Sequence, residues 1–159
     1  MIEAKKILIT IDYNPTSQRV AEAGYEMAKA MNAQVVLLHV ITNPAYYASS
    51  VYDPIMGFGG FINLNLMESS LLSDLKKTAQ DFLNKAKSHL EDDDIETIIE
   101  EGDIATAIID TAKENKIDII VMGSHSSKWL EHILIGSTAA DVLKQSTIPL
   151  YIIPTKKQH

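Results

Sequence analysis

The sequence predicts an α/β protein with one doubly wound, mostly parallel, five-stranded sheet of order 3-2-1-4-5 and helices on both faces. Three observations predict it. Apolar runs at Lys5–Asp12, Gln34–Ile41 and Ile119–Met122 are nearly continuous, as strands covered on both faces are. They alternate with stretches whose apolar residues recur at helical spacing. Each strand is therefore followed by a helix of the length a parallel crossover needs, and right-handed crossovers then constrain the strand order.

The chain has 159 residues, enough for one domain with a full core, and residues 1–159 are expected to form it. Hydrophobic residues make up 46% and charged residues 22%, a balance that suits a globular protein. A net charge of -7 and the lack of a basic stripe exclude nucleic acid as a main partner. The absence of cysteine excludes disulfides and thiolate metal sites and fits a reducing cytoplasm. Met1–Lys6 does not read as a signal peptide, and no apolar run reaches the length of a membrane span.

The first strand, Lys5–Asp12, ends on an acidic residue. A turn through Tyr13 and Pro15 offers Asn14 or Thr16 as cap of a helix reaching about Met31. Val20, Gly24, Met27, Ala28 and Met31 share its inner face, and Asn32 stops it. The second strand, Gln34–Ile41, contains His39. A packed, hydrogen-bonded histidine is the preferred reading there, because no second histidine stands at metal spacing. Residues 42–67 form a long loop with five aromatic rings, three glycines and two prolines. A lid, a dimer contact or a cover for a hydrophobic edge all fit such a loop.

Glu68–Leu90 is a strongly amphipathic helix with Leu71, Leu75, Ala79, Phe82, Ala86 and Leu90 along its buried stripe. The acidic run Glu91–Asp94 lacks the spacing of a calcium loop and reads as a charged turn. In the third strand, Ile95–Glu101, Ile95, Thr97 and Ile99 alternate with charged neighbours, which predicts an edge position with one wet face. Asp103 caps the next helix, with Ile104, Ala107, Ile108 and Ala112 inward. Ala139, Ala140, Val142 and Leu143 carry a short last helix. Ile148–Pro154 is the fifth strand, with prolines at both ends as suits a sheet edge, and residues 155–159 form a tail.

The stretch from Asp118 to Asp141 carries the chemistry. Strand, Gly123, a loop of about a dozen residues, then Gly136-Ser137-Thr138 opening a helix, is the layout of an anion cradle. Glycines let backbone approach a ligand, and free N–H groups at a helix start point at it. A plain helix start explains the same residues, with Thr138-x-x-Asp141 as a capping box or Ser137 as the cap.

This stretch resembles the C-terminal signature of the universal stress protein family, G-x2-G-x9-G-[ST]. Gly123 matches the first glycine and Gly136-Ser137 the last pair, and Val121–His125 is similar to the family's entry into the loop. Ser126 stands where the family has its second glycine. Ser127 and Trp129 replace residues that are usually basic and small. The first strand with Asp12, and the second with Val40, resemble the family's N-terminal half.

The resemblance implies an ATP or other adenine-nucleotide site, with Mg2+ alongside the phosphates. The residues it selects are Asp12, Val40, Gly123, His125, Ser126, Gly136, Ser137 and Thr138. It also implies a cytoplasmic stress-response protein that dimerises through the 148–154 strand. No phosphate-gripping P-loop, G-x-S-x-G elbow or cysteine nucleophile is present, so no catalytic residue is named and any ATP hydrolysis would be slow. Two other readings remain: a relative that does not retain ATP and acts on an unknown protein partner, and a sheet of the electron-transfer flavoprotein kind. Ser126, Ser127, Trp129 and Glu131 favour the former.

Overall fold

A computed structural model describes residues 5–42, 71–124 and 136–155. The 42–67 loop beyond Thr42, the signature residues His125, Ser126, Ser127, Trp129, Glu131 and His132, and the tail after Thr155 lie outside them.

Strands β1 (Lys6–Thr10), β2 (Gln34–Ile41), β3 (Glu96–Glu101), β4 (Ile119–Gly123) and β5 (Leu150–Ile153) form one sheet in the order β3-β2-β1-β4-β5. Every neighbouring pair is parallel, so the expected order is met and the sheet is wholly rather than mostly parallel. Between the strands run α1 (Ser17–Ala30), α2 (Leu71–His89), α3 (Ile104–Glu114) and α4 (Ser137–Gln145).

Alternation along the strands splits the core into two layers. Ile7, Ile9, Val35, Leu37 and Val121 meet Val20, Ala21 and Ala28 of α1 and Phe82, Leu83 and Ala86 of α2. Leu8, Val36, Leu38, Ile120 and Met122 face the other way, onto Ala105, Ile108, Ile109 and Ala112 of α3 and Ala139 and Val142 of α4. Gly24 lets α1 lie close to the sheet. A Cβ there would stand 2.9 Å from Ile9 Cδ1 and 3.0 Å from Val121 Cγ1.

Local chemistry sets the ends of the elements. Asp103 caps α3 as expected, its carboxylate accepting from Thr106 N at 3.0 Å and Thr106 Oγ1 at 2.8 Å. These bonds hold the Asp103 carboxyl below the usual range. Asn32 stops α1 in the left-handed region at φ 53°, and its N–H and that of Ala33 return to Lys29 and Ala28 carbonyls.

Four expectations need correction. Met31 is not on the buried face of α1; it caps the helix end and is 36% exposed. β3 is an edge strand, but neither face is simply wet. Ile98 packs on the α3 layer and Ile99 on the α2 layer, because helices reach over both sides of that edge. β5 is shorter than 148–154, although the Pro149 carbonyl still accepts from Ile120 N at 2.9 Å. Finally, neither Ser137 nor Thr138 caps α4. Gly136 is the cap residue, extended at φ −65° and ψ 163°, and no side chain among the described residues caps the helix.

Candidate functional site: the carboxyl ends of the first and fourth strands

The strand order reverses between β1 and β4, which lie side by side with Ile9 opposite Val121. In open parallel sheets of this kind the ligand crevice lies outside the carboxyl ends at that switch point. Two residues beyond β1 stands Asp12, which is exposed; Gly123 ends β4; Val40 lies near the end of β2. Gly136, Ser137 and Thr138 open α4, immediately after the segment that follows β4. The topology therefore brings six of the eight selected residues to one edge of the sheet, and His125 and Ser126 lie outside the described residues.

Asp12 is held by its own turn. Ser17, buried at the start of α1, donates its hydroxyl to Asp12 Oδ1 at 2.8 Å and accepts from Asp12 N at 3.0 Å. Asn14 N donates to the same Oδ1 at 2.9 Å. Oδ1 is committed, while Oδ2 has no hydrogen bond among the described residues. A carboxylate fixed through one oxygen presents the other as a ready acceptor for a hydroxyl or amino group. Ser17 was not anticipated from sequence, and no spacing rule singles it out.

His39 supports this turn from beneath. Its Nδ1 lies 3.0 Å from the Ile11 carbonyl, which can only accept, so Nδ1 carries the proton. The ring is buried among Tyr13 and Phe82, with centroids 4.5 and 5.7 Å away. Nε2 has no partner among the described residues. Burial pushes the His39 pKa down, against weaker upward pulls from the Ile11 carbonyl and Asp12. A packed, hydrogen-bonded histidine is thus what the structure holds.

The start of α4 is the other half of the site. Gly136 N donates to the Ser124 carbonyl at 3.0 Å, so it is not available to a ligand. Beyond Gly136 the first-turn amides begin at Ser137, and among the described residues no side chain caps them. Helix N-termini with unpaired N–H groups carry partial positive charge and attract anions. The carboxyl end of the sheet thus carries a carboxylate held through one oxygen and a helix start that no side chain caps among the described residues. Among the described residues no group of three histidine, aspartate or glutamate side chains gathers to hold a metal.

The universal stress protein family model matches residues 3–154. The chain belongs to the universal stress protein family. Universal stress protein MJ0577 of Methanocaldococcus jannaschii is 30% identical over 156 residues, 96% of each chain. The solved structure of protein MJ0577 superposes with a TM-score of 0.71 at 27% identity, covering 99% of this chain and 100% of that one. Two more distant structures share the fold. A universal stress protein in complex with cAMP is 19% identical, with a TM-score of 0.64 and coverage of 98% and 100%. One from Archaeoglobus fulgidus in complex with dAMP is 17% identical, with a TM-score of 0.58 and coverage of 95% and 98%. The universal stress protein described here shares the α/β fold of these structures, and no helix among its described residues is long and apolar enough to cross a membrane.

Proposed function

We propose that this universal stress protein binds an adenine nucleotide at the switch point between β1 and β4. The observation that carries the reading is the pairing of Asp12, fixed through one oxygen, with the uncapped start of α4 at the same sheet edge. Asp12 and Val40 flank the nucleoside, while Gly136 sets the helix start from which the Ser137 and Thr138 amides and hydroxyls meet phosphate. Gly123 ends β4, paired with Ile153 of β5, and the resemblance adds His125 and Ser126, which lie outside the described residues. Fold-mates in complex with cAMP and dAMP support a ligand of this class. ATP with Mg2+ is the fuller form of the proposal. The role is binding in a cytoplasmic stress response, by one domain spanning the chain that pairs through β5, rather than rapid turnover.

Calorimetric titration with AMP, ADP and ATP tests the reading, and measurable heat with at least one of them is expected. No heat and no thermal shift at about millimolar ligand, where affinity is worth only about 4 kcal/mol, would contradict it. A second reading, that the protein acts as an interaction module without stable ATP, is favoured by Ser126. A serine in place of glycine resists the positive φ that glycine adopts freely and adds a side chain. Selective binding of AMP over ATP would point to that constraint.

A further inference from the structure

Ser124 directly follows β4, and all three of its polar groups are engaged with different parts of the chain. Its N–H donates to the Ile153 carbonyl of β5 at 2.9 Å. Its carbonyl accepts from Gly136 N at the start of α4, at 3.0 Å. Its hydroxyl oxygen accepts from Thr155 N, just beyond β5, at 3.1 Å, and the two hydroxyls lie 3.5 Å apart. Thr155 is itself buried.

We propose that Ser124 is a positioning residue that sets where α4 begins, by clasping the end of β4 to the chain leaving β5. The proposal rests on the nucleotide reading only for its functional consequence. The segment carrying the signature leaves the sheet at Ser124 and returns at Gly136, and these two residues are bonded to each other. The base of that segment is therefore closed whatever sequence lies between. The Ser124–Gly136 bond is made by backbone alone and holds only as firmly as Ser124 itself is held. Its ladder bond to β5 fixes one point; the hydroxyl bond to Thr155 N fixes a second and stops Ser124 pivoting about the strand end. Through this chain of bonds Thr155 governs the direction of the Ser137 and Thr138 amides. Small displacements of preorganised donors weaken anion binding steeply, because a hydrogen bond loses strength with distance and angle. Neither Ser124 nor Thr155 needs to touch the ligand.

Amide hydrogen exchange and AMP titration on Ser124→Ala and Ser124→Thr, both in the full chain, test the proposal. In ligand-free Ser124→Ala, exchange at the Thr155 and Gly136 amides should accelerate about tenfold, as loss of one hydrogen bond of ordinary net strength allows. AMP affinity should fall by a similar factor, and Ser124→Thr, which keeps the hydroxyl, should restore both. Unchanged exchange at Gly136 overturns the clasp. Faster exchange with unchanged AMP affinity overturns the positioning role. If the wild-type protein binds no AMP, ADP or ATP, the nucleotide reading fails, and the exchange data still decide whether Ser124 sets the start of α4.

Discussion

His39 shows what one buried side chain does to the site and to stability. Its ring is 2% exposed, with one nitrogen bonded to Ile11 and the other unpartnered among the described residues. Protonation would place a charge in a dry layer, so burial lowers its pKa in the folded state. The unfolded chain takes up the proton near the ordinary histidine value of about 6.5, whereas the folded chain resists it. Stability is then fully present above about pH 6.5 and declines as pH falls toward the depressed folded value. Among the described residues the groups facing His39 are Asp12 and Tyr13 from the β1 turn and Phe82 from α2, and none of these is a cation that would reverse the sign. Thermal melts between pH 7.5 and 5 should show the decline, and His39→Leu should flatten it while lowering the melting temperature at pH 7.5. An equally steep decline in His39→Leu would assign it to other groups.

At the scale of elements, α1 is placed by a missing side chain. Gly24→Ala would gain up to about 1 kcal/mol of helix propensity. The new methyl would meet Ile9 and Val121 at about 3 Å, and overpacking of a filled core costs about 1–3 kcal/mol. Net destabilisation is expected in urea unfolding, with Gly24→Val worse than Gly24→Ala; a stabilised Gly24→Ala would show that the layer can give. How far sequence reveals such features depends on whether the signal is local. The runs of β1, β2 and β4, the α2 stripe and the Asp103 cap are patterns within a few residues of each other, and each was readable. The α4 cap was misjudged because Gly136 takes an extended conformation and itself ends the preceding segment. The Ser17–Asp12 bond depends on a turn conformation, and the Ser124–Thr155 bond spans 31 residues. That second pairing becomes visible only once the β4–β5 register is known.

At the scale of the whole molecule, β5 is an edge strand that no described strand pairs beyond β4. Tyr151 is 42% exposed and Leu143 of α4 is 57% exposed, while Pro149 and Pro154 flank a paired stretch of four residues. An open apolar edge of limited length favours one closed twofold contact over stacking without end. The protein should therefore sediment as a dimer, and Tyr151→Lys should split it by setting a charge in the contact. A dimer that survives this change and dissociates when residues 46–61 are shortened would assign the interface to the aromatic loop instead.

The account turns on one location, the crevice at the carboxyl ends of β1 and β4. Its most direct test is an amide nuclear magnetic resonance titration with AMP. The account predicts that the Asp12, Val40, Gly123, Ser137 and Thr138 amides shift together, while those at the opposite end of the sheet, such as Lys6 and Asp118, stay still. Shifts confined to the β5 edge or to the α2 surface, with Asp12 and Ser137 unmoved, would contradict it.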